Sequence, residues 1–304
     1  MVAKLRAGVV GAGVFGGYHA AKYAGMADCE LTAVLDPHPE RALDLAGRYG
    51  VHCCEDLREL IGMVDVVSVA SPAHTHAAAA LACLAAGKAV YIEKPIATAL
   101  DAADAIVAAG RHRGLPVACG FLERAAFHAM NLFAIPEAPL RLEAVRRGPA
   151  SPRGLDVSVV MDLMIHDIDL ALVLGRSPVL AVEAEGACVA NDLLDEVTAE
   201  VVFEDGFMAR LIASRVAAER ERTMRVVYPS GEILIDFLSH GFSNSTPYAL
   251  NAAFDETPAG RDRLGASLAA FLAAVRGQGT PLADGEDGVR ALDLALAVEQ
   301  AIDG

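Results

Sequence analysis

A glycine-rich turn near the N-terminus restricts this chain more than any other stretch. Gly11-Ala12-Gly13-Val14-Phe15-Gly16 follows a strand-like run at 5–10 and opens a helix-like run at 14–24. Glycine at those three positions permits a tight turn and lets a pyrophosphate approach the free N–H groups at the helix start. Gly11, Gly13, Val14, Phe15 and Gly16 are therefore expected to line a dinucleotide site. The pattern then repeats as short apolar runs at 31–35, 64–70, 89–92 and 117–119, separated by alanine-rich helical runs at 38–49, 75–87 and 98–112. Such alternation predicts a parallel sheet with helices on both faces.

Three strand ends of that sheet carry chemistry. The run at 31–35 ends in Asp36, about 20 residues beyond the glycine turn, where an acid binds the adenosine ribose and repels a 2′-phosphate. A second reading makes Asp36 a helix N-cap, since Pro37 follows and a helix begins near Pro39. The first reading favours NAD over NADP, although nearby Arg41 could accept a phosphate. Next, Ala70-Ser71-Pro72-Ala73-His74-Thr75-His76 is another strand-to-helix turn, where Ser71, Pro72 and either histidine could face a cofactor or simply start the helix. Finally, the run at 89–92 ends in Glu93-Lys94-Pro95, which puts an ammonium over the carboxyl edge of the sheet. A surface salt bridge is the plainer reading of Lys94. Pro95 restricts the residue before it and can take a cis bond.

Further along, residues 161–169 read Met-Asp-Leu-Met-Ile-His-Asp-Ile-Asp. On a helix advancing about 100° per residue, Asp162, His166 and Asp169 fall within roughly 60° of one another, and Asp167 points elsewhere. Buried polar groups are costly without partners. This face is a satisfied core network, an acid–base site or, less well supported for want of further ligands, a metal site.

A formal net charge of −15 argues against a nucleic-acid partner, which needs a basic footprint. It does not exclude a small anionic ligand held by local arginines. The apolar runs are interrupted, so no membrane span is expected. The chain enters its first strand without a signal-peptide pattern. Six cysteines lack zinc-ligand spacing and are read as reduced packing residues of a cytoplasmic protein.

Gly11-x-Gly13-x-x-Gly16, Pro72-x3-His76 and Glu93-Lys94-Pro95, in that order, resemble the glucose–fructose oxidoreductase / inositol dehydrogenase / MocA (Gfo/Idh/MocA) family, and Asp162-x3-His166-x2-Asp169 fits its second motif. The likeness covers essentially the whole chain. It implies a two-domain NAD-dependent oxidoreductase, with substrate between the dinucleotide domain and the open face of a second sheet. Lys94, Asp162 and His166 match the usual catalytic positions, and a homodimer or homotetramer through the outer face of the second sheet is implied. Glu93 joins Lys94 among the cofactor residues.

The fold class expected is thus α/β plus α+β. A Rossmann domain spans 1–119, and a substrate-binding and oligomerisation domain with a mainly antiparallel open sheet spans 120–304. Its elements are a short helix at 123–134, a strand at 140–146, an irregular stretch at 147–155, the 161–174 helix, successive strands over 179–236 and helices at 261–276 and 286–302, the last of which could pack back on the first domain. The chemistry expected is removal of a hydroxyl proton by His166, with Lys94 on the reacting oxygen. Asp162 would orient the imidazole or bind a substrate hydroxyl, and Asp169 would support from behind. The wording of residues 159–169 resembles the subgroup that includes UDP-N-acetylglucosamine 3-dehydrogenases, which form the 3-keto sugar ahead of 3-amino sugars for lipid A. Arg124, Arg147 and Arg215 are candidates for a diphosphate. One departure stands out: the subgroup often reads Glu-Arg-Phe-Asn-Pro where this chain has Glu123-Arg124-Ala125-Ala126-Phe127.

Overall fold

The computed structural model describes residues 3–150 and 156–303. Part of the irregular stretch expected at 147–155 lies outside the described residues. The chain forms two compact units. The first comprises residues up to Leu122 together with Asp262–Val289, and the second comprises Glu123–Arg261 and the chain from Arg290 onward.

In the first unit the order is β1 (Leu5–Val10), α1 (Val14–Gly25), β2 (Cys29–Leu35), α2 (Pro39–Tyr49), β3 (His52–Cys53), α3 (Leu57–Met63), β4 (Val66–Val69), α4 (His76–Ala85), β5 (Ala89–Ile92), α5 (Leu100–Arg113) and β6 (Val117–Cys119). All strands pair in parallel, in the order β3-β2-β1-β4-β5-β6. Central strands β4 and β5 are buried at every position, as strands covered on both faces must be. The strand order reverses between β1 and β4, and the glycine turn stands at that point. Ligands of doubly wound sheets bind at such a switch, outside the carboxyl ends of the strands.

The second unit contains α6 (Glu123–Met130), β7 (Arg141–Arg147), a π-helical turn (Val160–Met164), α7 (Ile165–Leu174) and β8 (Val179–Ala187). Then come β9 (Glu196–Phe203), β10 (Met208–Ser214), β11 (Glu221–Tyr228), β12 (Gly231–Asp236), β13 (Gly241–Asn244) and α8 (Pro258–Arg261). Its sheet runs β13-β12-β11-β7-β10-β9-β8, antiparallel except for the β7–β10 pair. Burial alternates along β7, β9, β10 and β11, so one face is core and the other, which mixes charged with apolar side chains, is more exposed. The π turn and α7 pack over β7 and β10.

The first unit takes in a later stretch of the chain, Asp262–Val289. Helix α9 (Arg263–Val275) belongs to the first unit, because its apolar stripe Leu264, Leu268, Phe271 and Leu272 joins the core around Tyr91 and Ala118. Tyr91 and Ser267 hydroxyls meet at 2.9 Å in that core, and Cys119 N–H donates to Ala283 O at 3.0 Å. Helix α10 (Gly285–Asp303) begins in the first unit and ends in the second. Strand β3 and helix α3 went unforeseen. β3 has two residues, and the start signal of α3 is one side chain, Asp56, accepting from Glu59 N–H at 2.8 Å.

Candidate active site

Gly11 and Gly16 of the first turn each have a steric reason. Gly11 has φ +98°, and a Cβ there would sit 2.6 Å from Ala70 O. A Cβ on Gly16 would sit 1.7 Å from Gly11 O, so only glycine lets α1 start so close beneath the turn. Gly13 is the N-cap of α1, without a side-chain cap, and nothing lies within 4 Å of where its Cβ would be. Asp36 closes the turn from the β2 side: its carboxylate accepts from Ala12 N–H at 2.7 Å and from His38 N–H at 2.8 Å. The N-cap position of α2 is His38 rather than Asp36. Asp36 therefore anchors the glycine turn, and a carboxylate with two accepted bonds keeps lone pairs for further donors.

At the end of β4, Ser71 and Thr75 hydroxyls meet at 2.6 Å, and Thr75 Oγ1 donates to Pro72 O. Of the two candidate histidines, His74 is exposed and His76 buried. His76 Nδ1 lies 2.8 Å from Pro95 O and its Nε2 lies 2.8 Å from Ser71 O. Carbonyls accept only, so a neutral ring donates to one of them and an imidazolium to both. Either way the ring ties the Ser71 turn to the Glu93-Lys94-Pro95 turn.

Glu93 is buried at the end of a polar chain. Tyr23 and Ser68 hydroxyls meet at 2.8 Å, Ser68 Oγ lies 2.9 Å from His19 Nδ1, and His19 Nε2 lies 2.8 Å from Glu93 Oε1. A neutral His19 satisfies every member, donating from Nε2 and accepting at Nδ1. Burial opposes ionisation of Glu93, yet its pKa is lowered, because the His19 hydrogen bond and the positive field of its neighbours, Lys94 among them, outweigh it. A Cβ at Gly120 would meet Glu93 Oε2 at 2.9 Å, which gives Gly120 a packing role. Half-buried Lys94 follows at the carboxyl end of β5, joined to Pro95 by a cis bond.

In the second unit, Asp162 and His166 are half-buried, and Asp167 and Asp169 are buried. His166 Nδ1 lies 2.9 Å from Glu123 Oε2. The carboxylate only accepts, so Nδ1 carries the hydrogen and Nε2 is the basic nitrogen. Glu123 Oε1 in turn accepts from Arg146 Nη1 at 2.9 Å, and Arg146 forks onto both oxygens of Asp167, also at 2.9 Å. Burial opposes charge on Arg146, but Asp167 and Glu123 raise its pKa above the usual value. Glu123–Arg146–Asp167 is thus a buried chain of alternating charge, as a low-dielectric site demands, with half-buried His166 at its end.

Two family models match the chain: an oxidoreductase family model described as an NAD-binding Rossmann fold over residues 5–121, and the Gfo/Idh/MocA C-terminal domain over 143–234. The UDP-N-acetylglucosamine 3-dehydrogenase of Acidithiobacillus ferrooxidans is 35% identical over 98% of this chain and 97% of its own. The chain belongs to the Gfo/Idh/MocA family. A solved structure of that relative superposes with TM-score 0.92, covering 100% of this chain and 99% of that one. The myo-inositol 2-dehydrogenase of Thermotoga maritima is 28% identical over 98% of this chain and 96% of its own. The WlbA dehydrogenase of Bordetella pertussis, solved with NADH and UDP-GlcNAcA, shares the fold at TM-score 0.90 and 19% identity, over 100% of this chain and 96% of that one.

This Gfo/Idh/MocA oxidoreductase uses NAD, and its first unit suits the dinucleotide. Gly13 leaves open space at the α1 N-terminus, where a Cβ would stand in the way, and Asp36 is fixed beside the turn. Among the other expected residues, Arg124 forks onto Asp169, with contacts of 2.6 and 2.9 Å. Arg215 holds Asp195 at 2.7 Å and donates to Val157 O at 2.8 Å. Arg147 pairs with Glu221 at the strand end at 2.5 Å. All three guanidiniums have carboxylate partners of their own. Asp169 is the buried partner of Arg124, and an acid not foreseen, Glu123, holds the imidazole at Nδ1. The sequence held only a faint sign of this: Glu123 lies 43 residues from His166, on another helix. The Ala125-Ala126-Phe127 departure fills core, since all three side chains are buried, and Glu123 and Arg124 keep their partners.

Proposed function

We propose that this enzyme oxidises a secondary hydroxyl of a nucleotide sugar, the 3-hydroxyl of UDP-N-acetylglucosamine, to the ketone. The observation that carries the reading is the His166–Glu123 pair, which fixes the tautomer of an imidazole following Asp162 in the family's pattern. His166 takes the hydroxyl proton at Nε2. Glu123 holds the ring by Nδ1 and stabilises the imidazolium that forms. Lys94 donates to the same oxygen as it gains negative charge, and Asp162 binds a neighbouring hydroxyl. Bound NAD supplies the acceptor for the hydride leaving that carbon, so the alcohol loses one proton and one hydride. Gly11, Gly13, Val14, Phe15, Gly16, Asp36, Ser71, Pro72 and His76, with Glu93 behind Lys94, form the cofactor side of this reading.

The identity and coverage shared with the A. ferrooxidans enzyme support the choice of sugar. Among the described residues no helix is long and apolar enough to cross a membrane. A cytoplasmic location belongs to this proposal. Assembly as a homodimer or homotetramer, through the outer face of the second sheet, belongs to the same reading. The test is NADH formation with UDP-N-acetylglucosamine and with myo-inositol. Turnover of the first alone is expected. Turnover of myo-inositol alone overturns the substrate, and binding of cofactor and sugar without turnover makes the chain a non-catalytic sensor.

A further inference from the structure

The arginines of the second sheet divide into two kinds. Arg141, Arg146, Arg147, Arg210, Arg215 and Arg225 each hold a carboxylate. The Arg222 guanidinium has no ion pair or hydrogen-bond partner among the described residues, and it is not placed as an ordinary surface arginine. In β11 it continues the face that buries Met224, Val226 and Tyr228. Its partner in register on β7 is Arg146, whose guanidinium holds Glu123, the partner of His166. Arg222 therefore stands at the end of the core face, beside the chain of charges that positions the imidazole. The residue as a whole is exposed, yet burial is the largest influence on its guanidinium and, with the like charges of Arg146 and Arg220, holds its pKa below the usual value. Glu123 and Asp167 oppose that shift.

Arg220, two residues before, is a second cation whose guanidinium has no ion pair or hydrogen bond among the described residues. A Cβ at Gly148 would lie 3.3 Å from Arg220 Cγ, so the glycine makes room for the Arg220 stem. Arg146 is fully matched by Glu123 and Asp167, which leaves Arg220 and Arg222 as surplus positive charge. In a chain of net charge −15 an anionic substrate needs such a local field. A guanidinium fork suits phosphate oxygens, and two forks suit a diphosphate.

We propose that Arg222, with Arg220 beside it, binds the diphosphate of the substrate. This rests on the nucleotide-sugar reading and makes Arg222 a specificity-determining residue, one that selects a phosphorylated sugar over a free polyol.

The experiment is calorimetric titration of the NADH-loaded enzyme with UDP, comparing wild type, Arg222→Ala and Arg225→Ala. Arg225 lies on the same strand but on the opposite face, where it pairs with Glu143 and Glu232. UDP binding is expected to weaken about tenfold in Arg222→Ala and to stay unchanged in Arg225→Ala. With UDP-N-acetylglucosamine, KM is expected to rise by a similar factor in Arg222→Ala while kcat holds. Equal UDP affinity in wild type and Arg222→Ala overturns the proposal, as does an equal loss in both variants. Wild type that binds UDP through Arg222 but does not oxidise UDP-N-acetylglucosamine overturns the functional reading and leaves the phosphate site standing.

Discussion

Glu123 supports the His166 ring, with its carboxylate 2.9 Å from Nδ1. Replacing Glu123 by Gln keeps the volume but removes a negative charge beside the imidazole. The imidazolium loses stabilisation, so the base stays deprotonated to lower pH, and the acid limb of the kcat/KM profile is expected to move down. A fall in kcat of about 10- to 100-fold is expected from the loss of the anchored tautomer. An unmoved acid limb would give Glu123 a packing role only. Asp195 offers a stability measurement. Burial opposes its charge, but hydrogen bonds from Ala190 N–H, Arg215 and Val189 N–H hold its pKa at about 2. A depressed carboxylate contributes stability above its unfolded value, near about 4, and loses it as pH falls through the folded value. The urea midpoint of wild type is therefore expected to drop between about pH 4 and about pH 2. Asp195→Asn should be less stable at neutral pH and should vary less across that interval.

At the scale of elements, α9 shows what a pattern leaves out. Its amphipathic stripe marks a helix with a buried face, but periodicity does not say which sheet receives that face. Here Leu264, Leu268, Phe271 and Leu272 return to the first sheet, more than 140 residues after β6 ends. Phe271→Ala leaves a cavity against Tyr91, whose ring centroid lies 5.8 Å from that of Phe271. It should cost about 3–5 kcal/mol in urea unfolding of the first unit. An effect under about 1 kcal/mol would mean that the helix is not part of that core. The parallel sheet was legible because its strands are buried on both faces and read as continuous apolar runs. The glycine turn was legible because Gly11 and Gly16 answer local steric demands. The 161–169 segment was half legible. A helical wheel assumes 3.6 residues per turn, but Val160–Met164 is a π turn, which changes the angle between Asp162 and the residues after it. Contacts such as Glu123 with His166 or Arg124 with Asp169 join separate helices, and spacing within one helix does not encode them.

For the whole molecule, both halves of the chain supply chemistry. The first unit gives a dinucleotide turn, an anionic Glu93 and the adjacent Lys94. The second gives an imidazole of fixed tautomer inside a chain of paired charges. The chain's membership of the Gfo/Idh/MocA family, its motifs and its paired charges all agree with oxidation of a sugar hydroxyl. The most direct test follows the hydrogen. UDP-N-acetylglucosamine deuterated at C3 is incubated with the enzyme and NAD, and the reduced cofactor is analysed by mass spectrometry, with His166→Ala alongside. Deuterium in the NADH formed by wild type, and loss of that transfer in His166→Ala, is the result expected. NADH that forms while the deuterium stays in the sugar, or transfer at the wild-type rate without His166, would contradict the account.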